Sequence, residues 1–233
     1  MYYNDEKEYM SFDVNNKLLR SSFAYMIIGL FITFLVPAYI IFYNQNLIYT
    51  IMNLYLPIVI LEFVVVIGLS GMLHKISTMT ARLLFFFYSF LNGLVFSLIG
   101  VMVGDIYIIG YTLFTTIIMF GVTAAYGYFT SEDLSNYGGY LRTGLISIII
   151  ISIINIFLKA PSLYWMVTIM GVVIFSALTA YDVNKIKNMA YEISYGDEST
   201  IEKLGVIGAL TLYLDFINLF LYLLRIFSRK GRD

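Results

Sequence analysis

Three carboxylates stand inside long apolar stretches of this 233-residue chain and are its best candidates for chemistry: Glu62, Asp182 and Asp215. A charged side chain at the centre of a bilayer costs at least about 2.5–3.5 kcal/mol, so such residues face the interior of a helix bundle and indicate function. Asp215 is central in the segment LGVIGALTLYLDFINLFLYLLRIF, where Thr211 at i−4 and Asn218 at i+3 share its helical face. This polar stripe predicts that Asp215 points inward.

Asp182 lies near the end of its apolar segment and has two interpretations. With Lys185 at i+3 it fits a helix-end residue that pairs locally or reaches interfacial water. If it instead meets Asp215, the two carboxylates cannot both ionise cheaply in a poorly hydrated site, so they share a proton. A protonated pair holds two helices together. A deprotonated pair repels and attracts cations, which makes Asp182 and Asp215 a candidate pH-dependent gate and a candidate Ca²⁺ site.

The composition requires a bilayer around these residues. Hydrophobic residues make up 60% of the chain, charged residues only 12%, and the mean hydropathy is +0.84, whereas soluble domains carry about 25% charged residues. Each helical span needs roughly 20 apolar residues. The apolar runs predict an all-α membrane protein with seven transmembrane helices, at 21–43, 51–73, 83–103, 106–129, 143–158, 163–184 and 204–227. We expect a tail at 1–20, one transmembrane domain at 21–227 and a basic tail at 228–233.

Several kinds of chemistry are excluded or disfavoured. The chain has no cysteine and one histidine, so thiolate chemistry is absent and a histidine metal site is disfavoured. We expect no nucleic-acid partner, since no basic face is present, and no tightly bound cofactor. Intramembrane aspartyl proteases also use two aspartates, but Leu212 and Leu214 occupy the positions where a Gly-x-Gly would precede Asp215. An enzyme is therefore not expected. A proton-coupled transporter stays open, although two related halves with broken helices are not evident.

The distribution of basic residues predicts the orientation. Segments on the side of the N-terminus carry nine Lys or Arg residues, whereas the opposite connectors carry only Lys159. The nine are Lys7, Lys17, Arg20, Lys75, Arg82, Arg142, Lys185, Lys187 and Lys203. The positive-inside rule then predicts a cytoplasmic N-terminus. The basic end of the last segment conflicts with this pattern, since seven spans would place it outside. Either that segment crosses despite its basic end, which we favour, or it is re-entrant.

Four sequence stretches resemble the Bax inhibitor-1 (transmembrane Bax inhibitor motif) family: FSALTAYDVNKIKNMA, GALTLYLDFINLFLYLLRIF, GYFTSEDLSNYGGYLRTGL and INIFL. The last two look most like the bacterial inner-membrane branch. The resemblance covers roughly residues 20–230. It implies a seven-helix bundle with the last helix central, and a location in the bacterial plasma (inner) membrane.

The resemblance also implies a function. Members similar to this chain are associated with a pH-sensitive calcium leak, in which the aspartates matching Asp182 and Asp215 form a proton-sharing pair. Partners would then be the lipid bilayer, protons, and Ca²⁺ as a permeant or transiently bound ion. Glu62 matches a glutamate that lines the ion path in similar members, although a protonated Glu62 bonded between helices fits the residues as well. We add Asn92 and Asn218 to the candidate path, while noting that intramembrane amides also join helices.

Two implied features are less well matched. Similar members carry a second-helix arginine that can latch onto the sixth-helix aspartate, but the equivalent spacing here gives Leu73 and His74. Lys75, Arg82 and Lys185 are the candidate substitutes. Other bacterial members resemble modulators of a membrane-bound AAA protease. A regulatory membrane protein that contacts such a protease or another partner is therefore the alternative function.

Overall fold

The computed structural model describes residues 2–72, 76–192 and 198–230, with side chains at 17–71, 76–189 and 200–228. Across these ranges the protein consists of helices and short connections without a strand. The helices are α1 Tyr2–Tyr43, α2 Asn46–Asn53, α3 Tyr55–Met72, α4 Thr78–Val103, α5 Ile106–Phe129, α6 Gly138–Leu158, α7 Pro161–Glu192 and α8 Glu198–Lys230. A 3-10 turn, Leu134–Tyr137, precedes α6. The prediction of an all-α protein is confirmed.

Six of the described helices are long and apolar enough to cross a membrane: α1, α4, α5, α6, α7 and α8. The pair α2 and α3 passes the same test only when its two helices are taken together, and it would make the seventh span. The window in α8 is 67% buried, the largest share among the spans. Seven spans and a central last helix stay predictions.

The second apolar run is not one straight helix, contrary to the expectation for 51–73. α2 ends at Asn53 with Leu54 as its C-cap, and the two helices are bent by 67° at that break. Pro57 explains why a new helix starts there. The proline nitrogen carries no hydrogen, so a proline inside a helix cannot donate to the carbonyl in the preceding turn. In the first turn of a helix the backbone nitrogen has no acceptor within that helix, so Pro57 costs no hydrogen bond near the start of α3.

The last two helices are longer than the apolar runs predict. The runs 163–184 and 204–227 leave a long polar connector, yet α7 continues to Glu192 and α8 already begins at Glu198. Polarity sets where a helix leaves hydrocarbon. It does not end the helix, because Glu, Lys and Ala have high helix propensity.

The exposed surface differs from that of a soluble protein. Large apolar side chains face outward, such as Phe31 at 64% and Phe157 at 81% exposure, while Thr33 and Ser89 are fully buried. Buried threonines donate to the carbonyl four residues earlier, as Thr116 does to Thr112 O at 2.8 Å. This pattern is expected where lipid is the solvent, because hydrocarbon offers polar groups no partner.

The chain forms two compact units, each with its own core. The first unit comprises Met1–Ile106 and Ala190–Tyr213, and the second comprises Tyr107–Met189 and Leu214–Asp233. In the first unit Ile40, Ile51, Ile58 and Leu91 form an apolar cluster. The second unit has a cluster of Ile148, Val167 and Ile174. Part of α8 belongs to each unit.

Residues of α8 pack in both units through aromatic contacts. In the first unit, the Tyr213 ring lies edge-on to Phe85 and Tyr88, at 5.6 and 5.8 Å between centroids. In the second unit, Phe216 meets Phe120 at 5.4 Å and Tyr222 stacks on Phe175 at 5.7 Å.

A close approach of α5 and α7 generates a stability prediction. A Cβ atom at Gly127 would overlap the carbonyl of Ala180. A Cβ atom at Gly121 in the same helix would have no heavy atom within 4 Å apart from the neighbouring backbone of that helix. We expect Gly127→Ala to destabilise the protein by about 1–3 kcal/mol, the usual cost of overpacking. Gly121→Ala should be neutral or stabilising, since alanine favours helix. Thermal unfolding of the detergent-purified protein measures the stability of both variants. Equal unfolding midpoints for Gly127→Ala and Gly121→Ala would contradict the close packing at Gly127.

Candidate functional site: an intramembrane carboxyl pair

The structure brings together the two aspartates that the sequence singles out. Asp182 of α7 and Asp215 of α8 both belong to the second unit, and their side chains are hydrogen-bonded to each other. Asp215 is 4% exposed, while Asp182 is half-buried. Asp215 Oδ2 accepts no hydrogen bond from an N–H or hydroxyl among the described residues.

The polar neighbours of the pair on its own helices also have contacts of their own, and of these neighbours Lys185 interacts electrostatically with Asp182. Asn218 is half-buried, and its amide donates to Leu214 O in the same helix at 2.8 Å. Lys185 is exposed, and its ammonium lies 6.0 Å from the centre of the Tyr181 ring. Thr179, fully buried, donates to Phe175 O at 2.8 Å.

Asn184, two residues after Asp182, fixes the connection between α5 and α6. The side chain is 2% exposed. Its amide donates to Gly127 O at 3.2 Å and Glu132 O at 3.4 Å, and its carbonyl accepts from Leu134 N at 3.3 Å. This end of α7 is therefore anchored to the connection by three hydrogen bonds from one side chain.

Lys187 adds a second anchor, because its ammonium donates to Tyr128 O at 2.9 Å and Thr130 O at 3.1 Å. The connection is also stabilised from within. Asp133 accepts a hydrogen bond from Ser135 N at 3.0 Å, which caps the 3-10 turn and lowers the pKa of the exposed Asp133 carboxyl.

A cavity of about 560 Å³ lies among α5, α6 and α7 in the second unit. Its walls are mostly apolar and aromatic, and include Thr123, Leu141, Ser176 and Tyr181. The hydroxyl of Ser176 is buried without a hydrogen-bond partner. Tyr181 directly precedes Asp182, so the cavity wall and the carboxyl pair share one turn of α7.

The first unit contains a separate buried polar cluster. The hydroxyls of Thr33 and Tyr213 are 2.7 Å apart, and Thr33 also donates to Ser89 O at 2.9 Å. Asn92 of α4 is 8% exposed and donates to Tyr88 O at 3.2 Å.

Glu62 of α3 also lies in the first unit. Its side chain is half-buried, and its Oε1 is buried without a hydrogen-bond partner among the residues that the structure describes. Of the candidate path residues, Glu62 and Asn92 therefore belong to the first unit, and Asn218 to the second.

The latch candidates have different positions. Arg82 forms an ion pair with Glu202 of α8 at 2.8 Å, and its guanidinium carbon lies 5.3 Å from the centre of the Tyr25 ring. Lys75 lies outside the described residues.

The described residues contain no group of three or more His, Cys, Asp or Glu side chains placed to hold a metal ion. The carboxyl pair is thus a two-residue site. Ca²⁺ takes about six to eight oxygen ligands in a stable protein site. The pair alone supplies fewer, which is compatible with transient contact.

The residues of these networks that are missing from the sequence-based prediction include Tyr213, Thr33, Asn184 and Glu202. Asn184 gives a usable signal, because an amide at the end of an apolar segment needs partners. Tyr213 gives no such signal, because it is one of 21 tyrosines in the chain and tyrosine is common in apolar helices. Glu202 falls in the stretch that the sequence predicts as a solvated connector.

Long apolar helices, outward-facing apolar side chains and a buried carboxyl pair define a multi-pass α-helical membrane protein. Within that class, a family model described as inhibitor of apoptosis-promoting Bax1 matches residues 15–232. The chain therefore belongs to the Bax inhibitor-1 family, as its motifs predict.

Individual relatives agree with this assignment. The chain is 41% identical over 214 residues to inner membrane protein YbhL of Escherichia coli, covering 89% of each chain. It is 40% identical over 230 residues to an uncharacterized protein of Borreliella burgdorferi, covering 94% of this chain and 95% of the relative. An uncharacterized membrane protein of Streptococcus pyogenes is 33% identical over 191 residues, 81% of each chain. The Escherichia coli name and the apolar helices support a multi-pass inner-membrane protein, and the cytoplasmic N-terminus stays a prediction.

The role of Asn184 is testable through the connection that it anchors. Asn184→Leu keeps a similar size but leaves the amide of Leu134 and the carbonyls of Gly127 and Glu132 without this partner, at about 1–3 kcal/mol for each buried group left unsatisfied. We expect amide hydrogen exchange across 127–137 to accelerate. Asn188→Leu is the control, because within the described residues Asn188 donates to Asn184 Oδ1 at 3.2 Å and not to the connection itself. Equal exchange in both variants would contradict the anchoring role.

Proposed function

We propose that this protein is a pH-sensitive leak channel for calcium or related cations, gated by proton sharing between Asp182 and Asp215. The observation that carries the proposal is the hydrogen bond between these two carboxyls in a buried site. Such contact requires a shared proton, because two bare carboxylates repel strongly where water is scarce. Holding the proton ties α7 to α8 and keeps the path closed.

The sign of the pH effect follows from this chemistry. Loss of the proton turns an attraction between α7 and α8 into a repulsion, so the open state gains population as pH rises. The same step leaves negative charge that attracts a cation. Because the pair offers few oxygens, Ca²⁺ would bind weakly there, and conduction requires that an ion can leave.

Glu62 supports a cation path in the first unit. An acidic residue within a membrane helix is costly and marks an ion or proton pathway by default. Its Oε1 has no hydrogen-bond partner among the described residues, which leaves this oxygen free to bind an ion. We propose Asn92 and Asn218 as weaker contributors, since the amide of each is engaged by its own helix.

The pair is tested by Ca²⁺ flux into liposomes that contain the purified protein. In the wild type, release of one proton should raise flux by up to about tenfold per pH unit below the midpoint. Asp215→Asn and Asp182→Asn should lower flux and flatten its pH dependence, because an amide bonds to the remaining carboxyl without titrating.

The matched control is Asp133→Asn, which changes an exposed aspartate and keeps a side-chain oxygen as cap. It should behave as wild type. Wild-type flux equal to that of empty liposomes would refute the channel, and unchanged pH dependence in both pair variants would refute the gate.

Glu62 requires a different measurement. Glu62→Gln removes a charge from the proposed path but leaves Asp182 and Asp215 intact, so we expect slower flux with the midpoint of the pH profile unchanged. Flux identical to wild type would remove Glu62 from the path, and a displaced midpoint would make it part of the gate. Modulation of a membrane-bound AAA protease stays a prediction.

A further inference from the structure

The cavity among α5, α6 and α7 has a side that faces lipid. All of its lining residues lie within helices or turns that belong to candidate membrane spans. Three of them are strongly exposed on the surface of these spans: Val173 at 59%, Tyr126 at 53% and Tyr137 at 47%. Its volume of about 560 Å³ falls within the range of about 300–1,000 Å³ that is typical of ligand-binding pockets. A membrane lipid is therefore the molecule that surrounds the opening.

The length of the cavity corresponds to one leaflet of the bilayer. On α5 the lining extends from Tyr126 back to Met119, and on α7 it extends from Tyr181 back to Val172. At 1.5 Å per residue these stretches measure about 10 and about 14 Å. One leaflet contributes about half of the roughly 30 Å of hydrocarbon. The cavity is therefore as long as the acyl chain of a lipid in one leaflet.

A carboxylate lies at the end of the cavity that is nearest to the connection between α5 and α6. Glu132 accepts hydrogen bonds from the hydroxyls of two lining residues, Tyr137 at 2.8 Å and Tyr126 at 3.5 Å. The Glu132 side chain is exposed. An ionised carboxylate has about four acceptor positions, so Glu132 can accept from a further donor without losing either tyrosine.

Two more polar groups border the cavity along α7. The ammonium of Lys185 lies 6.0 Å from the centre of the ring of Tyr181, a lining residue, and interacts electrostatically with Asp182. About halfway along the α7 wall, the hydroxyl of Ser176 is buried without a hydrogen-bond partner among the described residues. The α7 wall therefore has a cation near its polar end and a hydroxyl donor at intermediate depth.

We propose that this cavity binds one acyl chain of a phosphatidylethanolamine molecule, whose ammonium group donates to Glu132. From the connection inward, the protein presents a carboxylate and a lysine, then the Ser176 hydroxyl, then an apolar wall. The lipid presents an ammonium and a phosphate, then an ester carbonyl, then hydrocarbon, so complementary groups meet in the same order. Every residue in the proposal belongs to the second unit, and lipid binding is measured without ion flux, so the proposal stands apart from the proposed channel activity.

The ammonium group distinguishes this lipid from phosphatidylcholine. The ethanolamine ammonium has N–H groups that form charge-assisted hydrogen bonds with a carboxylate, whereas the trimethylammonium of phosphatidylcholine has no hydrogen to donate. The experiment titrates the detergent-purified full chain at low salt with each lipid, with identical acyl chains, and counts bound lipid by native mass spectrometry. We expect phosphatidylethanolamine to bind about fivefold more tightly, which corresponds to a favourable ion pair at an exposed position.

Glu132→Gln tests the headgroup contact, because glutamine keeps an acceptor for both tyrosines but removes the charge. This variant should lose most of the preference for phosphatidylethanolamine. The matched control is Asp133→Asn, which removes the neighbouring exposed charge and should keep the preference. Equal binding of the two lipids by wild type, or an undiminished preference in Glu132→Gln, would overturn the headgroup assignment.

Filling the cavity tests where the chain lies. Ala177 is a lining residue, and Ala177→Leu should weaken binding of both lipids by about tenfold, because the added atoms overlap the bound chain. Ala125→Leu makes the same change at an exposed position of α5 outside the lining, and it should bind both lipids as wild type does. Equal affinities of the two variants for both lipids would overturn the cavity as the binding site.

Discussion

Hydrocarbon offers no hydrogen bonds, so a polar group inside a membrane must find its partner within the protein. Most of the described helices obey this rule locally, because threonine and asparagine side chains return their donors to carbonyls one turn earlier, as in Thr112, Thr179 and Asn218. The exceptions are few and informative. Asp215 and Glu62 each keep a buried oxygen without a protein partner, and these carboxyls are the basis of the proposed function.

The rule also accounts for what could be predicted from the sequence. Asp215 is recognisable because a central carboxylate in an apolar helix is too costly to be incidental. Asp182 alone is ambiguous, since a helix-end aspartate has solvent and Lys185 within reach. Its contact with Asp215 depends on the packing of α7 against α8, and local sequence does not encode that packing. Only the family motifs supplied the pairing in advance.

Helix existence was predictable and helix limits were not. Hydropathy reports where the chain leaves lipid, whereas α7 and α8 continue through polar residues that favour helix. The same limitation concealed Glu202, whose pairing with Arg82 needs α8 to begin early. Pro57 gave a usable signal for the bend after α2. Tyr213 and Thr33 gave no signal in the sequence, because their hydroxyl contact joins two residues that are 180 positions apart.

Unequal helix lengths have a further consequence for the membrane around the protein. α3 has 18 residues and α4 has 26, so their axes measure about 27 and 39 Å at 1.5 Å per residue. Hydrocarbon is about 30 Å thick, so α4 fits by tilting, whereas α3 passes the test for a span only together with α2. Thicker bilayers are absorbed by α4 standing more upright. Bilayer thickness therefore acts differently on α4 and on the bent pair of helices that carries Glu62.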